Sequence, residues 1–242
     1  MNKFLFALVF FVSSAYAADP DAATILEKAE QIRNPSEDYV CRVELVDKKG
    51  SKQDVTRTFE SSIKGRDKAL VRYLSPAEEK NTKVLMVGQD MWVKTESNSK
   101  PIRISANQKL TGNAAYGDVA RLSFVGNYTP TLLRKDKFKG EEAYVLKLES
   151  IVNRPVTYDK VEYWVSTKSY RPLKALYMTF SDKIIREGGF EDYKDVFGMQ
   201  RPTTFTLINL LQKDHTTTLK FSEPKKASLP DLLFEKQNLG RQ

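Results

Sequence analysis

The chain of 242 residues has one cysteine and one histidine. A lone Cys41 rules out an intrachain disulfide framework. With His215 as the only imidazole, there are too few ligands for a Cys/His zinc site and no Cys–His nucleophile pair of the usual design. No glycine-rich phosphate loop is present either. Gly188-Gly189 stands in a strand pattern, without a following helix or P-loop lysine, and reads as a β-bulge. The acidic pairs Glu78-Glu79, Glu141-Glu142 and Glu191-Asp192 fall in turns or point outward by alternation, so they read as surface charge rather than as a desolvated acid/base pair. His215 lies beside Asp214 in a polar turn and reads as an exposed turn residue rather than a catalytic base. With these chemistries absent, no enzyme activity, metal or cofactor is expected.

Long apolar runs are also scarce. The one near the N-terminus, Phe4 to Val12, falls short of the about 20 apolar residues a spanning helix needs. Preceded by Lys3 and followed by Ala15-Tyr16-Ala17, it reads as a cleaved export signal over residues 1–17, leaving one mature domain over 18–242. No cysteine stands at the new N-terminus to accept lipid. The expected product is a periplasmic protein, neither anchored nor integral to the membrane, and monomeric. The formal net charge of +8, about +7 without the signal, is spread over residues such as Arg66, Lys68, Arg72, Lys135, Lys137, Lys139, Lys147 and Lys174. Scattered charge of this kind fits a solvated outer face, or attraction to anionic lipid or an acidic partner, and lacks the dense stripe of a nucleic-acid binder.

What is abundant is short alternating strands. Leu70 to Ile104 holds several, punctuated by Ser75-Pro76 and Gly88-Gln89-Asp90. Before them, Asp19 as N-cap and Pro20 at the first helical position predict a helix whose Ala22, Ile25, Leu26, Ala29 and Ile32 share one face, ending near Asn34-Pro35. From Asp38 the period changes to two. Tyr39, Cys41, Val43 and Leu45 take one face and Arg42 and Glu44 the other; Val55, Phe59 and Ile63 continue the apolar face, with Arg57 on it. This pattern favours a buried Cys41 over a reactive thiol. Ser105 to Asn127 breaks the alternation and places Val119, Leu122 and Phe124 at loosely helical spacing, as in a lid with one or two short helices or a disordered connection. Strands then resume from Tyr128 to Ser222. The sum is a mainly β chain: a strongly curved antiparallel sheet or barrel of roughly eleven strands.

Several motifs carry a family resemblance. Arg72 to Leu85 (R-Y-L-S-P-A-E-E-K-N-T-K-V-L), Gln89 to Val93 (Q-D-M-W-V), Gly140 to Leu148 (G-E-E-A-Y-V-L-K-L), Trp164 to Ala175 (W-V-S-T-K-S-Y-R-P-L-K-A), Arg201 to Phe205 (R-P-T-T-F) and the Leu232-Leu233-Phe234 run make the chain similar to the bacterial outer-membrane lipoprotein-sorting proteins, relatives of the periplasmic lipoprotein carrier LolA. The resemblance implies a half-open antiparallel β-barrel over an apolar cavity, with an N-terminal helix and short helices as its lid. It also implies a cargo of acyl chains, carried as lipoprotein, phospholipid or other lipid, and an inner-membrane transporter as partner.

On that resemblance the cavity candidates are Tyr39, Val43, Leu45, Phe59, Trp92, Tyr144, Leu146, Tyr163 and Phe205, which could equally be solid core. The lid would comprise Ile25, Leu26, Ala29, Val119, Leu122 and Phe124. Family members carry an aspartate-aromatic-aspartate cluster in the lid; here only Asp118 corresponds. An arginine inside such barrels holds the lid, and Arg57 has the strand and face for this, or for a rim salt bridge. The alternative function is that of an accessory protein whose rim docks on a lipid-exporting transporter or envelope assembly machine and carries nothing.

Overall fold

The alternation that begins at Tyr39 becomes the first strand of a continuous antiparallel sheet. The computed structural model describes residues 19–240; the expected export signal lies outside them. Before the sheet, helix α1 (Ala22–Arg33) begins two residues later than its sequence suggested. Asp21 is the N-cap, its Oδ1 accepting the Thr24 N–H at 2.8 Å, while Asp19 instead pairs with Lys135 at 2.6 Å. Helix α1 ends as expected at Asn34.

The strands are β1 (Tyr39–Lys49), β2 (Val55–Lys64), β3 (Lys68–Ser75), β4 (Lys83–Val87), β5 (Asp90–Lys94), β6 (Ile102–Ile104), β7 (Lys109–Thr111), β8 (Ala114–Ala115), β9 (Tyr128–Phe138), β10 (Glu141–Ser150), β11 (Lys160–Ser166), β12 (Pro172–Met178), β13 (Ile184–Val196), β14 (Met199–Asn209) and β15 (His215–Lys226). Thirteen of them, rather than about eleven, form one sheet in the order β6-β5-β4-β3-β2-β1-β15-β14-β13-β12-β11-β10-β9. Nearest neighbours in sequence pair as hairpins, and β1 joins β15. Since β6 and β9 remain edges, the curled sheet is a half-open antiparallel barrel. The two strands missed as such, β7 and β8, pair only with each other, inside the segment that breaks the alternation. A four-residue helix, α2 (Tyr116–Val119), follows them.

Period two sorts side chains between two faces. The concave face gathers Val43, Leu45, Phe59, Leu146, Tyr163, Leu207 and Leu219 into the main core, completed by α1 and by Val119, Leu122 and Phe124. Both faces of β3 and β4 are apolar because the outer one is covered too. Leu70 and Leu85 pack there against Phe234 and Leu239 of the C-terminal turns. Gly188-Gly189 is not a bulge: the two residues keep regular register with Ala175 and Lys174. A Cβ on Gly188 would stand 2.7 Å from the Tyr177 ring. Glycine is needed there so that this ring can lie across β13.

Candidate functional site

The concave face and the segments laid over it form the candidate site. Helix α1 crosses β9, β10, β12 and β14, burying Ile25, Leu26 and Ala29. Residues 105–127 add the β7–β8 ribbon, α2, and buried Val119, Leu122 and Phe124. None of this segment joins the main sheet. It is held by side chains chiefly at two polar clasps, with a further bond from the Tyr158 hydroxyl to Asp118.

The first clasp is at the ribbon tip. Asn113 donates its backbone N–H to Thr217 Oγ1 at 2.8 Å and its Nδ2 to the His215 carbonyl at 3.0 Å, and accepts from Asn209 at 2.9 Å. Gly112 has a positive φ of 57° and passes so close to Asp47 that a Cβ would overlap its carboxylate. His215 is therefore not an exposed turn residue. It opens β15 opposite Lys49, points inward and is buried, with Nε2 3.0 Å from Asp47 and Nδ1 3.1 Å from Gln212.

The second clasp joins α1 to the far end of the segment. Arg33 forks onto Glu30 at 3.1 and 2.9 Å and donates to the Leu122 carbonyl at 2.9 Å. Asn34 donates to Glu30 Oε1 at 2.7 Å and to the Arg121 carbonyl at 3.0 Å. Arg121, at a positive φ of 58°, returns Nε to Asn34 Oδ1 at 2.8 Å and Nη2 to the Arg33 carbonyl. From β14, Arg201 holds the last α1 carbonyls, Gln31 and Ile32.

Between helix and barrel remains a cavity of about 40 Å³ bounded by Arg33, Asp118, Arg121, Tyr177, Phe190 and Phe205. That is room for a water or two, not for an acyl chain. Asp118 accepts the Ala115 N–H at 2.8 Å and the Tyr158 hydroxyl at 3.0 Å. Burial nevertheless pushes its carboxyl up to about 6. A second space, of about 30 Å³, lies between Arg121, Arg201, Tyr39, Cys41 and Phe221. Burial pushes the Cys41 thiol up to about 11.

Tyr39, Val43, Leu45, Phe59, Tyr144, Leu146 and Tyr163 are all buried in the main core, and Phe205 packs against it. Trp92 does not join them. Its face of β5 is the outer one, where it packs with Leu85, Phe234 and Leu233, because strand alternation sends Met91 and Val93 inward. The Arg57 guanidinium is bonded to Glu79 at 2.7 and 2.6 Å, the rim salt bridge rather than the lid. Sequence reasoning missed Glu30, Arg33, Asn34, Arg121 and Arg201. A signal existed for two of them. Arg33 follows Ile25 and Ala29 at intervals of four, and Glu30 follows Leu26 likewise, which puts charge on the buried stripe.

Comparison with known proteins adds the following. A family model described as "-like: Uncharacterized protein" matches residues 65–241. Among solved structures, a LolA superfamily protein from Nitrosomonas europaea is 35% identical, with TM-score 0.85 over 90% of this chain and 99% of its own. A DUF1329 family protein from Desulfovibrio piger is 21% identical, with TM-score 0.80 over 92% of this chain and 100% of its own. An outer membrane lipoprotein-sorting protein domain from Vibrio parahaemolyticus is 21% identical, with TM-score 0.77 over 91% and 98%. No curated protein matches the sequence.

Proposed function

From the premise that this chain belongs to the LolA superfamily, we propose that it is a periplasmic carrier that takes up the acyl chains of a lipoprotein or lipid on the concave face of its half-open barrel. One observation carries this reading. The cover over that apolar face is not a strand of the barrel but a separate segment, buried through Val119, Leu122 and Phe124 and attached by two polar clasps. Such a cover can be lifted without unzipping the sheet. On this reading, lifting α1 or the segment would enlarge the space of about 40 Å³ towards the several hundred Å³ that an acyl chain requires. The export signal expected from the sequence supports a periplasmic location, and no helix among the described residues is long and apolar enough to cross a membrane.

The docking alternative has its own observation. Val152 and Phe180 are 84% and 81% exposed, and Leu210 and Leu211 are exposed beside them in chain order along the sheet. These residues stand on the β10–β11, β12–β13 and β14–β15 connections, which share one rim. A rim of this kind suits contact with a membrane transporter.

The deciding experiment is native mass spectrometry with lipid extraction on protein purified without detergent, beside the variant Phe205→Trp, which fills the cavity. Acylated species bound by the native chain and lost from the variant support the carrier. A chain that stays unliganded when lipids and lipopeptides are offered moves the assignment to docking.

A further inference from the structure

Among the described residues, one cation bordering the cavity has no carboxylate partner. Arg33 is matched by Glu30, which takes both prongs of its fork. Arg201 has Glu37 at 3.8 Å. Asp118 is bonded to the Tyr158 hydroxyl, toward which Arg186 also donates, at 3.4 Å. Arg121 is the remainder: among the described residues no carboxylate lies within ion-pair distance of it. Its Nε and Nη2 are used by Asn34 Oδ1 and the Arg33 carbonyl. Among the described residues, Nη1 has no protein acceptor.

The guanidinium stands 4.5 Å over the Phe221 ring and borders both enclosed spaces. Arg121 is half-buried, so its cation stands beside apolar walls yet within reach of water and of a ligand anion. Nearby is a second unmet group. The Tyr163 hydroxyl is buried without a partner, and its ring touches two walls of the same cavity, Phe124 at 5.4 Å and Phe190 at 5.8 Å.

We propose that the cargo is an acidic amphiphile: its carboxylate or phosphate pairs with Arg121, and its chain runs over Phe124, Phe190 and Phe205 along the concave face. This rests on the carrier reading and narrows it. The left-handed backbone at Arg121 and the Asn34 and Arg33 contacts fix the guanidinium, and its Nη1 group offers a charge-assisted hydrogen bond to a carboxylate or phosphate.

The test measures displacement of a fluorescent acyl probe from the full chain by three ligands of one chain length: hexadecanoate, hexadecyl phosphate and hexadecanol. The native protein should bind both acids about tenfold or more tighter than the alcohol, the worth of one charge-assisted hydrogen bond. Arg121→Gln should abolish the preference for the acids over the alcohol, read as the acid-to-alcohol ratio within the variant so that a loosened cover acts on all three ligands alike; Arg121→Lys should keep only part of the preference. Preference for the phosphate alone would assign a lipid phosphate, and equal preference any acid of this shape; both support the proposal. Equal binding of acids and alcohol by the native protein overturns it while leaving the carrier intact, as does a preference that survives Arg121→Gln. Binding of none of the three overturns both. Should Arg121→Gln fail to fold, the native ratio and the Lys variant still decide.

Discussion

Asn34→Ala should loosen the cover without loosening the barrel. The Asn34 amide makes three bonds, to Glu30 at 2.7 Å, to the Arg121 carbonyl at 3.0 Å and from Arg121 Nε at 2.8 Å. Two of them involve a charged group. Net values of about 0.5–1.5 kcal/mol for the neutral bond and about 1.5–3 for each charged one set an upper bound, because water reaches the freed groups once the segment lifts. Taking roughly 3 kcal/mol in all, the population with the segment detached rises about a hundredfold. Hydrogen exchange reads this directly. The Leu122 N–H, bonded to the Gly117 carbonyl at 2.9 Å, and the Ala120 N–H, bonded to Tyr116 at 3.0 Å, should exchange about a hundredfold faster. Amides of the β1–β2 ladder around Val43 and Phe59 should keep their native rates. On the carrier reading, uptake of an acyl probe also accelerates. Equal acceleration in the ladder would show that the bond network supports the whole fold, and no change at Leu122 would show that the clasp holds nothing; either result refutes the reasoning.

Further outcomes concern other parts of the chain. Asp118, raised to about 6 from an ordinary value near 4, gives a stability penalty that is absent below about pH 4, grows as pH rises through about 6 and is constant above, reaching roughly 3 kcal/mol. Urea unfolding at pH 5 and pH 7 should show this loss toward neutral pH, and Asp118→Asn should abolish that part of the slope. Gly188→Ala forces a Cβ to 2.7 Å from the Tyr177 ring and 3.1 Å from Phe205 and should cost about 1–3 kcal/mol, seen as a lower denaturation midpoint. Trp92→Ala should free the C-terminal turns around Phe234 and Leu239 to proteolysis while leaving acyl binding unchanged, whereas Phe205→Ala should alter binding.

The barrel was legible because each strand carries its own alternation. Cys41, Val43 and Leu45 against Arg42 and Glu44, or Tyr144, Leu146 and Leu148 against Lys147 and Glu149, declare their faces without reference to any partner. Trp92 failed because the size of the indole outweighed its neighbours: Asp90 and Lys94 share its face while Met91 and Val93 take the other, and the apolar cover it needs there comes from the distant C-terminal residues Phe234 and Leu239. The β7 and β8 strands of the ribbon are three and two residues long, too short for a period to register. His215 and the Arg33–Asn34–Arg121 clasp escaped for another reason. Their partners lie far off in sequence, 168 residues away for Asp47 and 87 for Arg121 with Asn34, and a polar residue whose partner is unseen reads as solvent-exposed.

The filled interior is itself consistent with carriage, because on that reading uptake is an exchange of apolar surface rather than its first burial. Val119, Leu122 and Phe124 are buried in the closed state, and at about 1.5–3 kcal/mol each they contribute roughly 6 kcal/mol. An acyl chain of about sixteen methylenes gains about 13 kcal/mol gross when enclosed. The difference must still cover the ordering of the chain and the loss of two clasps. What is left is a modest net affinity, and this permits release. An always-open trough would hold its cargo with the full gross value and expose a large apolar surface when empty. The cover solves both problems with the same three side chains. Its polar attachments fit the same balance: hydrogen bonds set its seat by direction, and their modest net worth, about 0.5–1.5 kcal/mol for a neutral bond and about 1.5–3 for a charged one, is what an arriving chain would have to offset. The acidic group proposed for Arg121 fits the same scheme, since a charge pair formed at the clasp lets the arriving ligand compete for the residue that helps hold the cover down.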